Sequence, residues 1–130
     1  TGVKNLEILA DMKRMISKAD IRLILKKVGL DPDMKKPVGK YSLGMRQRLG
    51  IAQAIMEDPQ LLILDEPFNG LDQDGIHEIH DLFQKLKSQG KTILLASHSA
   101  SDISRACDEV FEIKDGVLEK IPKKDSKWLV

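Results

Sequence analysis

The sequence predicts an α/β fold in which a mainly helical part precedes a parallel strand–helix–strand unit and a C-terminal hairpin. Apolar residues recur at helical spacing up to about residue 58. Two short apolar runs, "LLIL" and "TILLA", then flank an amphipathic segment, which is typical of strands joined by a crossover helix. Finally, "EVFEI" and "GVLEKI" are joined by "KDG", as in a hairpin, and residues 122–130 follow as a tail.

Helix signals define the first part of the chain, residues 1–58. Thr1 is placed to cap a first helix, and Ser17 with Asp20 three residues later resembles a capping pair for a second. Gly29 is placed to end that second helix. The segment "LDPDMKKPVGKY" has the proline, glycine and charge content of a loop, after which "SLGMRQRLGIAQAIM" resumes helical spacing. We therefore predict a third helix after the loop.

Residues 59–121 have the pattern of a parallel sheet followed by the hairpin. The runs "LLIL" and "TILLA" are nearly continuous apolar segments, as expected of strands that are covered on both faces. Between them, "QDGIHEIHDLFQKLKSQG" places apolar side chains on one helical stripe and ends at Gly90. A right-handed crossover makes the two strands parallel and brings their carboxyl ends to one edge, where α/β proteins bind ligands. We expect Asp65, Glu66 and His98 at that edge.

Composition excludes several classes of protein. The 130 residues are 42% apolar and 32% charged, the balance of a soluble globular domain rather than of a disordered or membrane-spanning chain. With 21 basic and 20 acidic residues the net charge is +1, so no overall field attracts nucleic acid or anionic lipid. Because the net charge is so small, any phosphate-binding site must be local. The single cysteine, Cys107, excludes an internal disulfide and fits a reducing compartment.

Two adjacent carboxylates, Asp65 and Glu66, end the apolar run in "LLILDEPFNGLD". Carboxylates at the end of a buried strand are costly unless a cation or a proton compensates them. Taken alone, "LDEP" is compatible both with a site for a cation and with simple capping of the turn at Pro67. His77 and His80 have a spacing that resembles metal ligands, but no third ligand is evident, so a solvated helix face is the preferred interpretation.

Four ordered motifs resemble those of a known family. "YSLGMRQRL", "LLILDEP", "NGLD" and "ASH" are similar to the signature motif, Walker B segment, D-loop and H-loop of ABC-transporter ATPases. The variant signature further resembles the ATPases of bacterial multidrug, bacitracin-type and lantibiotic exporters. The resemblance implies the C-terminal part of a P-loop ATPase domain. Residues 1–58 would form the helical signature-motif subdomain, residues 59–121 part of the RecA-like core, and residues 122–130 a tail.

The same resemblance implies roles for individual residues. Asp65 would help to hold Mg²⁺, and Glu66 would orient or deprotonate the attacking water. His98 would contact the γ-phosphate of ATP and link it to Glu66. Asp72 would face a partner subunit and also cap the following helix. The signature residues would grip nucleotide bound to another subunit through the N-terminus of their helix; they are Ser42, Gly44 and Met45.

The signature departs from the commonest form in the family. Leu43 replaces the first glycine and Met45 replaces glutamine. Arg46 and Arg48 resemble a basic patch, for which helix solubility and intersubunit ion pairs are the preferred explanations because no aromatic residues interleave with the arginines.

The resemblance implies a subunit that hydrolyses ATP to drive a membrane permease, in a head-to-tail dimer at the cytoplasmic side of the cell membrane and without a nucleic-acid partner. No G-x-x-x-x-G-K-[ST] sequence occurs, and the lysine of "PVGKY" lacks the required spacing. In the family, the phosphate loop and the glutamine loop lie N-terminal to the motifs found here. We therefore expect this chain to correspond to the C-terminal half of such an ATPase and to be inactive by itself.

Two other functions remain open on sequence grounds. A related ATPase of DNA repair or chromosome maintenance shares the signature and Walker B motifs, but those proteins carry coiled coils or zinc modules, and neither heptads nor cysteine pairs occur here. A regulatory or interaction module would keep the architecture and lose nucleotide binding, which the intact Asp65, Glu66 and His98 argue against. A phosphate loop in the upstream coding sequence would favour the ATPase over the module.

Overall fold

The computed structural model describes residues 1–13 and 16–122, so the predicted tail lies outside the described residues except for Pro122. The helices are α1 (Gly2–Lys13), α2 (Lys18–Lys27), α3 (Leu43–Ile55), α4 (Gln73–Ser88) and α5 (Ala100–Ala106), with a short 3₁₀ helix at Val38–Lys40. The strands are β1 (Leu61–Asp65), β2 (Thr92–Ala96), β3 (Val110–Lys114) and β4 (Val117–Ile121). Within these described ranges, no helix combines the length and the apolar character needed to cross a membrane.

The predicted capping residues set the helix boundaries. Ser17 and Asp20 form a capping box before α2: the Asp20 N–H donates to Ser17 Oγ at 3.2 Å, and the Ser17 N–H donates to Asp20 Oδ2 at 3.3 Å. Ser42 Oγ accepts a hydrogen bond from the Met45 N–H at 3.2 Å at the start of α3. Gly29 follows the end of α2 with a φ of 74°, which glycine adopts without a steric penalty. The sequence prediction of these helix ends is therefore confirmed.

Strands β1 and β2 form the predicted parallel pair. Their register places Leu61 beside Thr92 and Asp65 beside Ala96, and α4 provides the crossover between them. The hairpin is also confirmed, because β3 and β4 pair antiparallel. Since β1 and β2 end at the same edge, the residues that follow the two strands are brought together there.

The prediction that β1 and β2 are covered on both faces is wrong for the described residues. Leu62 and Leu64 are buried, whereas Leu61 and Ile63 are 53% and 70% exposed, and Leu94 on β2 is 56% exposed. Successive strand residues point to opposite faces of a sheet. The single buried cluster that includes Leu62 and Leu64 also contains side chains of α1, α2, α3 and α4, and it covers one face only.

Arg48 joins the end of α2 to α4. Its Nη1 donates to the Val28 carbonyl at 2.7 Å and to Glu78 Oε2 at 2.7 Å, and its side chain is only 14% exposed. The prediction that Arg48 serves helix solubility or an intersubunit ion pair is therefore wrong, because the guanidinium is used within the chain. Arg46 is exposed on the same helix, and its role stays a prediction.

Candidate functional site

The carboxyl ends of β1 and β2 bring Glu66 into contact with His98. Glu66 Oε1 accepts a hydrogen bond from the His98 N–H at 2.9 Å and lies 2.6 Å from His98 Nδ1. The hydroxyl of Ser97 donates to Glu66 Oε2 at 3.2 Å. An ionised carboxylate only accepts hydrogen bonds, so Nδ1 carries the hydrogen in this pair. The His98 side chain is 87% exposed, which leaves its Nε2 available for another partner.

The surroundings of Glu66 favour its ionised form. Burial raises the pKa of the carboxyl, but the hydrogen bonds from the His98 ring and backbone, the electrostatic interaction with His98 and the Ser97 hydroxyl lower it. The net result is a pKa below the ordinary value of glutamate. The Glu66 side chain is 31% exposed, so water can reach it. An ionised carboxylate that water can reach is suited to accept a hydrogen bond from an attacking water molecule.

The backbone of Glu66 is as constrained as its side chain. Its φ of 47° lies in the left-handed region, which is uncommon for a residue other than glycine. The Glu66 N–H donates to the Ala96 carbonyl at 2.9 Å. The Glu66 carbonyl accepts from the Asn69 N–H at 3.1 Å and from Gln47 Nε2 at 3.2 Å. Partners on β2, on the following turn and on α3 thus hold this one residue.

Asp65 is the last residue of β1 and its side chain is exposed at the same edge. Among the residues described, no group of three or more histidine, cysteine or acidic side chains could hold a metal ion. A lone exposed carboxylate nevertheless fits Mg²⁺, which keeps several waters and is commonly bound by one or two carboxylates together with substrate phosphates. Asp65 is therefore chemically suited to a magnesium ion that arrives with a nucleotide.

The start of α3 lies against the turn after β1, which comprises residues 66–71. A Cβ atom on Gly44 would lie 2.5 Å from the Gly70 carbonyl oxygen, and a Cβ atom on Gly70 would lie 2.5 Å from Leu43 Cγ. Both glycines are thus required by a close approach of α3 to the turn. Leu43, which replaces a glycine of the family motif, occupies this contact.

Asp72 has the capping role that the sequence predicts. Its Oδ1 accepts a hydrogen bond from the Gly75 N–H at 2.9 Å at the start of α4. The aspartate is exposed, and its role toward a partner subunit stays a prediction.

The structure places six of the seven predicted site residues in two groups, and the seventh, Asp72, is the N-cap of α4. One group lies at the sheet edge: Asp65, Glu66 and His98. The other lies at the start of α3: Ser42, Gly44 and Met45. The sequence analysis missed Gln47, whose side-chain amide reaches from α3 to the Glu66 carbonyl. No local signal in the sequence indicated this contact, because it depends on how α3 approaches the turn after β1.

Several known proteins are similar to this chain in sequence. The sequence model of the family described as "ABC transporter" matches residues 2–69. The chain is 47% identical over 119 residues to the bacitracin transport ATP-binding protein of Enterococcus faecalis, a match that covers 91% of this chain and 39% of the relative. It is 44% identical over 124 residues to the lantibiotic transport ATP-binding protein of Streptococcus pyogenes, covering 90% of this chain and 54% of the relative.

An uncharacterized ABC transporter ATP-binding protein of Bacillus subtilis is 44% identical over 126 residues, which cover 94% of this chain and 58% of the relative. The chain thus spans between 39% and 58% of the length of these three relatives.

Proposed function

The chain belongs to the ABC transporter family, and from this premise we propose that it is the signature-motif and Walker B part of a subunit that hydrolyses ATP. The observation that carries the proposal is the contact between Glu66 and His98 at the shared end of two parallel strands, 2.6 Å from Oε1 to Nδ1. In this proposal residues 1–58 form the helical subdomain and residues 59–121 belong to the nucleotide-binding core.

Glu66 is proposed to orient the water that attacks the γ-phosphate. Its carboxylate is ionised and accessible, and His98 and Ser97 fix both of its oxygens. A positioned acceptor for the attacking water is the main protein contribution to phosphoryl transfer besides charge stabilisation. His98 directs Nδ1 to Glu66 and is left with Nε2 for the γ-phosphate. A donor contact from Nε2 to phosphate then requires the doubly protonated imidazolium, since Nδ1 already carries a hydrogen.

Asp65 is proposed to hold Mg²⁺ that is bound to ATP. When bound, the metal ion neutralises negative charge on the phosphates. Asp65 contributes an exposed oxygen ligand beside Glu66, at the edge where the two strands end. Two adjacent carboxylates at a strand end therefore fit a site in which a cation accompanies the substrate.

The start of α3 is proposed to bind the phosphates of ATP held by a second subunit. Ser42 is exposed, and its hydroxyl now accepts from the Met45 N–H, so it can exchange this capping bond for one to phosphate. The N–H groups of Gly44 and Met45 belong to the first turn of a 13-residue helix, where the helix dipole favours an anion. This arrangement implies a head-to-tail dimer in which Asp72 faces the partner subunit.

The proposed physiological role is to drive a membrane permease from the cytoplasmic side of the membrane. Its support is the similarity to ATP-binding proteins named for bacitracin transport and for lantibiotic transport. Transport of a substrate of the bacitracin or lantibiotic type is accordingly the proposed class of transport.

The test is to compare this chain with a complete subunit, by which we mean one polypeptide that carries the chain together with the phosphate loop of the family. The complete subunit is expected to bind Mg-ATP in a calorimetric titration and to release phosphate. The 130-residue chain is expected to do neither. A triphosphate carries about four negative charges, and the phosphate loop with its lysine supplies most of the donors that compensate them.

Two results would contradict the proposal. One is a complete subunit that binds Mg-ATP without hydrolysing it. The other is saturable binding and turnover by the 130-residue chain alone with a Kd below about 100 µM, which corresponds to about 5.5 kcal/mol. That second result would identify the chain as an enzyme of another kind.

A further inference from the structure

Glu66 adopts a backbone conformation that its own side chain does not favour. A φ of 47° at a residue with a Cβ atom persists when neighbouring groups hold it. The Glu66 N–H is fixed by the Ala96 carbonyl of β2. Any group that fixes the Glu66 carbonyl therefore helps to determine the direction in which the carboxylate points.

The Glu66 carbonyl has two partners that differ in kind. The Asn69 N–H belongs to the same turn and donates at 3.1 Å, while Gln47 Nε2 comes from α3 and donates at 3.2 Å. A carbonyl oxygen only accepts, so the Gln47 side chain must present its NH₂ group to it. Gln47 is half-buried between α3 and the turn, close to the contact of Gly44 with Gly70. The start of α3 is thus connected to Glu66 through a side chain as well as through packing.

We propose that Gln47 is a positioning residue for ATP hydrolysis, which holds the backbone of Glu66 so that the carboxylate faces the attacking water. The inference rests on the role proposed above for Glu66 and deepens it. Because Gln47 follows Ser42 by five residues and Met45 by two on the same helix, it also connects the proposed phosphate contact of α3 to Glu66 of the same chain. A shift of α3 on nucleotide binding would then move the Glu66 carbonyl.

A purely structural role for Gln47 would make its loss affect stability more than catalysis. A positioning role predicts the opposite. Without Gln47 the Glu66 carbonyl still accepts from Asn69, so no buried acceptor loses every partner. The fold should therefore survive the loss of Gln47, and the effect on catalysis should exceed the effect on stability.

The test uses three variants in the complete subunit. Gln47→Met keeps the length of the side chain and removes the donor, while Gln47→Lys keeps a donor. Gln53→Met makes the same change at an exposed glutamine of the same helix. We expect Gln47→Met to lower kcat by about tenfold or more and to change KM for Mg-ATP by less than about twofold, because misplacing a catalytic group mainly affects the reacting state. Gln47→Lys should recover part of the loss, and Gln53→Met should match the unmodified subunit.

A second measurement does not need ATP hydrolysis. Hydrogen exchange of the backbone amides of residues 66–71 should be faster in Gln47→Met than in Gln53→Met. If Gln47→Met fails to fold, Gln47→Glu replaces it, since it has the same shape and offers no donor in its ionised form.

The outcomes separate the two proposals. Equal kcat values for Gln47→Met and Gln53→Met would overturn the role of Gln47, and so would equal lowering of kcat by Gln47→Met and Gln47→Lys. If the unmodified subunit hydrolyses no ATP, the proposed function fails. The hydrogen-exchange comparison then tests the role of Gln47 by itself. Equal exchange in Gln47→Met and Gln53→Met would overturn the proposed connection between Gln47 and the backbone of Glu66.

Discussion

Glu66 has to satisfy three requirements at one position: it ends a strand, begins a turn and presents a carboxylate. Its bonds to His98 and Ser97 lower the pKa of this carboxylate in spite of the opposing effect of burial. A carboxylate with a lowered pKa is a weaker base, so it gains less by taking a proton. An ionised carboxylate at this position fits the role proposed for Glu66, which is to orient the attacking water.

Replacement of His98 by alanine is expected to reduce stability at neutral pH and to have little effect in acid. The folded-state pKa of Glu66 is lowered, so the stabilisation is present above the unfolded value of about 4.3 and is lost as the pH falls through the folded-state value. Thermal unfolding of the chain and of His98→Ala, from neutral pH to about pH 3, measures this dependence. The two midpoints should converge in acid. A difference between the two midpoints that is constant with pH would contradict the argument.

At the scale of single elements, α3 contains two glycines in opposite surroundings. A Cβ atom on Gly44 would lie 2.5 Å from the Gly70 carbonyl oxygen, whereas a Cβ atom on Gly50 would have no neighbour within 4 Å. Gly50→Ala should stabilise the chain by about 0.5–1 kcal/mol because alanine restricts the unfolded chain and favours the helix. Gly44→Ala should destabilise it by about 1–3 kcal/mol because of overpacking. Urea unfolding measures both, and changes of the same sign would contradict the close contact of α3 with the turn.

A second prediction at this scale concerns the hydrogen bonds by which Arg48 joins the end of α2 to α4. Arg48→Ala removes donors to the Val28 carbonyl and to Glu78, and should lower the free energy of unfolding by about 1.5–3 kcal/mol. Arg46→Ala, at the exposed arginine of the same helix, should change it by less than about 0.5 kcal/mol. Urea unfolding is again the measurement. Equal effects of the two substitutions would show that Arg48 does not hold α2 and α4 together.

Local signals allowed the elements to be predicted, but not their contacts. Ser17, Ser42 and Asp72 act as caps within three residues of their partners, so the sequence alone is sufficient to predict them. The bonds of Arg48 to Val28 and Glu78 span 20 and 30 residues. Gln47 and Glu66 are 19 residues apart. Such contacts depend on how α3 approaches the turn after β1, and no periodicity in the sequence contains that information.

At the scale of the whole molecule, one face of the parallel sheet formed by β1 and β2 is apolar and exposed. Ile63 and Leu94 are 70% and 56% exposed on β1 and β2. Apolar faces beside unpaired strand edges favour association between chains. The 130-residue chain is therefore expected to self-associate, and Ile63→Lys should reduce this association in sedimentation velocity. Leu23→Lys, at an apolar residue that is 57% exposed on α2, is the control. The prediction would be contradicted if the unmodified 130-residue chain were monomeric, or if Ile63→Lys and Leu23→Lys changed its association equally.

The central claim is that Glu66 supports ATP hydrolysis at the shared end of β1 and β2. Its most direct test is Glu66→Gln in the complete subunit, measured by phosphate release and by nucleotide retained on the protein. The amide keeps the shape of the side chain and loses the negative charge that orients water, so turnover should fall by at least about a hundredfold while Mg-ATP remains bound. Glu119→Gln, at an exposed glutamate of β4, should leave turnover unchanged. Hydrolysis by Glu66→Gln at a rate near that of the unmodified subunit would contradict the claim.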